Sequence, residues 1–397
     1  MRCKRCCVTF AAFLTFAISA SLPSLACPPS NTWTTGPDTE AGFVLAEGDL
    51  AAIRTAGPFQ VPWSVALLPD GSFLVTERPG QLQHVRPNAD TIAVRNTPSV
   101  LYKGHGGLLD VAVDPEFEDN GLIYLSYLQG EEAASTMRVM RAKFDTDSDA
   151  LTDTEVIFEG TPGPSLDQIG GRLALTGDGH LFISLGDRWD GPRAQDLSDT
   201  AGSIVRIRTD GSVPEDNPFR TTEGARPEIW SYGHRNPQGL AFDRATRQLW
   251  SDEHGPQGGD ELNLVRPGAN YGWPLATFGS GYEGQSLGVN SHQPGAELPI
   301  HYWVPLSIAP SSLAVETQPA TTEIWIGALA GEMVVQLTLA DNCVLREQRL
   351  FRHQLGRIRD VRVDSSGSLY LLTDGGEGML YRVELPQTEI IQGSGPY

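Results

Sequence analysis

The sequence predicts an all-β protein, a six-bladed β-propeller with long loop insertions around the mouth of its channel. Three observations predict it. Helix signals are scarce, because few stretches keep an apolar period near 3.6 residues over three turns. A short pattern recurs six times, a turn with Asp and Gly followed by four to six residues rich in Val, Ile, Leu, Tyr and Phe. The copies stand roughly 45 to 75 residues apart, the period of propeller blades that carry insertions.

The copies are PDGSFLVTE (69–77), DNGLIYLSY (119–127), GDGHLFISLGD (177–187), RATRQLWSDE (244–253), TTEIWIGAL (321–329) and SSGSLYLLTD (365–374). A tight turn feeding an alternating run is a hairpin signal. Second strands follow in several copies, as QLQHV after Gly80, MVVQLTL after Glu332 and MLYRVEL after Gly378. A blade alone leaves an apolar sheet face uncovered, and stacking in a ring buries it. A large two-sheet sandwich is the alternative, and six repeats favour the ring over two layers. The longest insertions lie at 187–250 and 273–323, and 279–295 is a Gly/Ser/Asn-rich surface loop.

The first residues read as a secretory signal: Arg2, Lys4 and Arg5, an apolar run from about Val8 to Leu22, then Ser24-Leu25-Ala26. The domain reading is a signal at 1–26, a Pro/Thr-rich lead-in at 27–45, the propeller at 46–385 and a loose tail at 386–397. The expected location is the periplasm or the exterior. No later apolar run is long enough to span a bilayer. Of five cysteines, Cys27 and Cys343 survive processing. Cys27 is open to two roles, a lipid anchor or a disulfide with Cys343. A net charge of −20 argues against nucleic acid or an anionic membrane as partner.

The stretch from Tyr232 to Trp273 carries the chemistry. It places Arg235, Asn236, His254, Asp260 and Glu261 among Gly- and Pro-rich turns. Such turns let carbonyl oxygens face outward, and nearby acids favour a hard cation such as Ca²⁺. A planar Arg fork suits a carboxylate-bearing ligand.

The motifs GGLLDVAVDPEF, GGRLALTGDGHLFISLGD, SYGHRNPQGLAFD, HGPQGGDELN, GANYGWP, SIAPSS and RIRDV run in one order over nearly the whole mature chain. In this the chain resembles the soluble glucose/sorbosone dehydrogenase family, the pyrroloquinoline-quinone (PQQ) dependent aldose sugar dehydrogenases. The resemblance implies a six-bladed propeller with PQQ over the channel mouth. It implies oxidation of an aldose at its anomeric hydroxyl to the lactone, with Ca²⁺ polarising the quinone and electrons leaving to an external acceptor. PQQ carries three carboxylates, so its pocket needs cations. The base must be neutral near the working pH, which suits His.

Carried over position by position, the resemblance assigns Arg235, Asn236 and Ser307 to the cofactor. It assigns the Gly255 and Pro256 carbonyls to the catalytic Ca²⁺, and Glu261 and Tyr271 to a second, structural Ca²⁺. Arg357 and Arg359, alternate residues on one strand face, would pair with PQQ carboxylates. Asp187 would support the catalytic base.

Three positions depart from that pattern. Gln168 stands where the family has its catalytic His, and a neutral amide takes no proton. His105 stands where the family has Gln, so the two residues have traded places, and His105 is the expected base with Gln168 in the hydrogen-bonding role. Ala330 lies where a Lys would face the quinone, and Arg172, Arg188 or Arg193 would have to replace that charge. Two other functions compete: a non-catalytic propeller holding a sugar or protein at the mouth, and a Ca²⁺-dependent lactonase.

Overall fold

The computed structural model describes residues 50–87, 90–283, 287 and 289–384. The signal at 1–26, the lead-in, Cys27 and the tail at 386–397 lie outside the described residues. Six four-stranded antiparallel sheets form six blades. The innermost strands, in blade order, are Pro62–Leu67, Leu108–Val113, Gly170–Leu175, Pro237–Asp243, Pro310–Thr317 and Ile358–Val363. Each touches the next, and the last touches the first, so the ring is closed.

The six repeated runs of the sequence are the second strand of each blade. These are Phe73–Glu77, Leu122–Gln129, His180–Leu185, Gln248–Glu253, Thr322–Ala328 and Leu369–Thr373. Their turns work as the Asp/Gly pattern requires. Asp70, Asp114, Asp243 and Asp364 each accept a hydrogen bond from the backbone N–H two residues on. Phe73–Glu77 and Leu369–Thr373 are buried at every position. A strand with a blade on each side has no face left for water.

The core is therefore six seams rather than one centre. One apolar cluster fills each junction between neighbouring blades. Blade 6 is completed by the first described strand, Ala51–Phe59, which pairs antiparallel with Gly378–Glu384. The first and last described strands thus share one blade and lock the ring.

Arg172 sits on the axis, 1% exposed. Its guanidinium reaches Asp110 (3.3 Å) of blade 2, Asp360 (3.0 Å) of blade 6, the Gln238 carbonyl (2.9 Å) of blade 4 and the Ser311 carbonyl (2.9 Å) of blade 5. It also lies 4.2 Å from the ring centroid of Trp63 in blade 1. One side chain of blade 3 thus touches all five other blades. Arg362 braces the same two carboxylates at 3.0 and 3.1 Å.

Candidate active site

The blade geometry brings distant motifs to one place. Inner strands begin, and second strands end, at the same mouth of the channel. His105, Gln168, Arg235, Asn236, Ser307 and Arg357 immediately precede inner strands. Asp187, His254 and Asp374 immediately follow second strands.

A cavity of about 250 Å³ opens at this mouth. Seven residues expected from the sequence line it: His105, Gln168, Arg235, Asn236, Gly255, Pro256 and Ser307. Four more lining residues had no assigned role: Trp189, His254, Gln257 and Tyr282.

Arg235 is the central cation. Its guanidinium lies between the indoles of Trp189 (5.4 Å) and Trp273 (5.3 Å). Nη1 donates to the carbonyls of His254 (3.1 Å) and Gly255 (2.5 Å), and Nη2 to the Tyr282 hydroxyl (3.0 Å). Nε is buried with no partner. The backbone N–H of Arg235 donates to Glu253 (2.6 Å), whose other oxygen meets His234 Nδ1 (3.0 Å), while His234 Nε2 meets Ser231 (2.9 Å). Ser231, His234 and Glu253 follow the order of a hydrolase triad, but Ser231 and His234 are fully buried, so the chain of bonds holds Arg235 and reaches no substrate.

Gln168 takes a left-handed backbone (φ 51°) and is 3% exposed. With its amide turned to satisfy both neighbours, nitrogen donates to Asp187 and oxygen accepts from Arg235 Nη2 (2.8 Å). Gly186 must be glycine, since a Cβ there would stand 2.1 Å from the Gln168 carbonyl oxygen. Asp187 lies behind Gln168, outside the lining. Burial pushes its carboxyl up to about 6, against the pull of the Trp273 indole N–H (2.7 Å) and of Arg235.

His105 is 58% exposed at the side chain. Its Nδ1 accepts the Gln168 backbone N–H (3.1 Å), and Nε2 stands 3.6 Å from Asp167. The neutral ring in this pose carries its proton on Nε2. Partial burial holds the imidazole below its ordinary range; Asp167 opposes that, and Arg78 and Arg359 reinforce it. His254 donates from Nε2 to the Pro310 carbonyl (2.8 Å). Burial first, then Arg235 and Arg359, push that imidazole down to about 3.

The remaining expected residues lie apart from the cavity. Arg357 and Arg359 share one carboxylate, Asp374, at 2.9 and 3.3 Å. Arg172 is the axial brace already described, below the mouth. The three arginines expected to replace the charge at Ala330 are all engaged elsewhere. Arg188 binds Ser165 and Ser135, Arg193 pairs with Asp199 at 2.7 Å, and Arg172 is on the axis. The nearer cation is Arg357, whose Nη1 lies 3.5 Å from the carbonyl of Leu329, next to Ala330. Glu261 and Tyr271 line a small separate crevice with Glu297. Burial pushes the Glu261 carboxyl well up, and the charge of Glu253 adds to it. The Tyr271 hydroxyl donates to the Leu264 carbonyl (2.6 Å) and accepts the Arg266 N–H (2.9 Å). Cys343 is disulfide-bonded.

A six-bladed propeller with a cationic, carbonyl-lined pocket at one channel mouth is the class that fold and site define. Residues 59–382 match the family described as glucose/sorbosone dehydrogenase. The aldose sugar dehydrogenase YliI of Escherichia coli (strain K12) is 39% identical over 332 residues, covering 81% of this chain and 89% of that protein. The apo-form crystal structure of the soluble aldose sugar dehydrogenase from Escherichia coli superposes with a TM-score of 0.80 at 37% identity, covering 84% of this chain and 99% of that one. The PQQ-bound aldose sugar dehydrogenase from Streptomyces coelicolor gives a TM-score of 0.72 at 28% identity, covering 84% and 97%. The chain belongs to the glucose/sorbosone dehydrogenase family.

Proposed function

We propose that this chain is an exported PQQ- and Ca²⁺-dependent dehydrogenase that oxidises the anomeric hydroxyl of aldoses to lactones and passes electrons to an external acceptor. The observation that carries the reading is the convergence of Arg235, Asn236, Gly255, Pro256, Ser307, His105 and Gln168 on one cavity. The donor set fits the cofactor. Arg235 is a buried cation whose Nε has no partner in the protein, which fits a site for a ligand that carries carboxylates. No three His, Cys, Asp or Glu side chains converge as metal ligands among the described residues. A Ca²⁺ at the mouth would be held by the Pro256 carbonyl and, once Arg235 Nη1 releases it, by the Gly255 carbonyl, both hard oxygen donors. Glu261 and the Tyr271 carbonyl would hold the second Ca²⁺, because the Tyr271 hydroxyl is occupied. The disulfide at Cys343 supports export, since such bonds persist in oxidising compartments.

When bound, PQQ supplies the two-electron oxidant and Ca²⁺ the Lewis acid that polarises it. The chain does the rest. Arg235 and Asn236 bind and orient. Gln168, fixed between Asp187 and Arg235, offers its amide to a substrate hydroxyl. His105 takes the hydroxyl proton, and its depressed basicity keeps it neutral for that task. It must first release the Gln168 N–H from Nδ1, at a cost of about 1 kcal/mol. A non-catalytic sugar-binding propeller is the second reading, favoured by that occupied Nδ1 and by the missing Lys at Ala330. A lactonase would need ringed side-chain carboxylates, and the mouth offers carbonyls.

A dye-coupled assay of the PQQ- and Ca²⁺-loaded protein over a panel of aldoses tests the reading. Saturable turnover is expected. Cofactor binding without turnover on any aldose would leave the binding propeller.

A further inference from the structure

One wall of the cavity has no part in the proposed chemistry. Trp189 and Tyr282 stand at its edge, 52% and 61% exposed. Their ring centroids are 5.9 Å apart and the planes are tilted by 53°. Large aromatic faces left open to water beside a polar pocket mark a place where something apolar docks. Side chains able to bond hydroxyls, among them His105, Gln168 and Asn236, line the same cavity.

The backbone holds the indole outward against its own preference. Arg188 and Trp189 are consecutive non-glycine residues in the left-handed region, with φ of 60° and 58°. That conformation is unfavourable for a side chain with a Cβ and persists only where the surroundings enforce it. Here they do. The Trp189 N–H donates to Asp187 (2.9 Å), and the Arg188 guanidinium is anchored inward on the Ser165 carbonyl and the Ser135 hydroxyl, both at 2.8 Å. Trp189 also lies against Arg235, and the Tyr282 hydroxyl accepts from the same guanidinium. Both rings are thereby fixed to the cation at the centre of the site while about half of each surface stays open.

We propose that Trp189 and Tyr282 form a stacking wall for the pyranose ring of the aldose, and so determine which aldoses the site accepts. A pyranose has one side rich in C–H groups and an edge of hydroxyls. Its C–H face suits a rigid indole, which offers a large apolar area with little conformational freedom to lose. Its hydroxyl edge suits the polar side chains that line the same cavity. This inference rests on the aldose-oxidation reading and deepens it by assigning a specificity wall.

Calorimetric titration of aldoses into the PQQ- and Ca²⁺-loaded protein, beside steady-state kinetics, tests it with Trp189→Ala and Trp189→Phe. Trp189→Ala is expected to raise both Kd and KM for the best aldose about tenfold, which is about 1.4 kcal/mol. Its kcat should stay within about threefold, its PQQ affinity likewise, and Trp189→Phe should restore most of the loss. An unchanged aldose Kd overturns the proposal. So does a loss of PQQ affinity that matches the loss of aldose affinity, because the wall would then serve the cofactor. If Trp189→Ala does not fold, Trp189→Phe and Tyr282→Leu carry the same comparison, since Tyr282 has no left-handed backbone. Aldose binding without turnover in the wild type would remove the oxidation and leave the wall standing. No aldose binding in the wild type would remove the wall.

Discussion

Replacing Arg172 with methionine separates a structural role from a cofactor role. The side chain is fully enclosed and makes four hydrogen bonds, two to the carboxylates of Asp110 and Asp360 and two to carbonyls of blades 4 and 5. Charge-assisted bonds are worth about 1.5–3 kcal/mol each. Removing one partner of a buried ion pair costs about 3–5 kcal/mol, because a charge stays behind without compensation. Arg362 still holds both carboxylates, which keeps the expected loss within that range rather than above it. For a chain of this size the loss corresponds to a fall in Tm of roughly 4–7 °C. Urea unfolding followed by circular dichroism gives the stability, and a PQQ titration on the folded variant gives the affinity. A large loss of stability is expected, with a PQQ affinity within about threefold of wild type. A variant of near-native stability that binds PQQ at least tenfold more weakly would refute the structural role and return Arg172 to the cofactor.

Other perturbations probe the mouth and the seams. His105→Ala should lower kcat by about 10²–10⁴ with PQQ affinity retained, measured by dye-coupled turnover beside cofactor titration; unchanged turnover would sink the base assignment. The double swap His105→Gln with Gln168→His should keep turnover within about tenfold, since it restores one imidazole and one amide to the same cavity, now with the imidazole beside Asp187. Arg235→Lys loses the flat fork held between two indoles and should weaken PQQ binding by roughly 10- to 100-fold, from one or two charge-assisted bonds. Asp252→Asn addresses a fully buried carboxyl whose two oxygens find no partner, and which burial pushes up to about 8 against the pull of Arg172. A raised folded value means the native state keeps a proton that the unfolded chain releases, so stability is full below about 4 and is lost as pH rises toward 8. The substitution should therefore gain on wild type between pH 4 and pH 7, by about 4 kcal/mol, in urea unfolding at the two pH values; a gap that does not change with pH would contradict it.

The repeat was legible because each blade writes the same local instruction. Asp and Gly fix the turn, and the run after it is apolar because two neighbouring blades bury it. The ring closure was not, because Ala51–Phe59 pairs with a strand more than three hundred residues away, and nothing local in AAIRTAGPF names that partner. The motif order pointed to Arg235, Asn236, Gly255 and Pro256, and the mouth gathers them. Trp189 was missed because its exposure depends on a left-handed turn and on an anchor for Arg188, neither of which the letters DRWD announce. Arg172 reads on paper as a cation near the cofactor, and its burial on the axis follows only from six inner strands meeting. The engagement of Arg357 and Arg359 with Asp374 is likewise a contact between chain segments that only the blade brings together.

The most direct test is an isothermal titration of PQQ into the purified protein, with Ca²⁺ present and then with Ca²⁺ chelated. Saturable binding at one site is expected with Ca²⁺, weakened at least tenfold by chelation and by Arg235→Lys. No binding of PQQ in the presence of Ca²⁺ would contradict the proposed function.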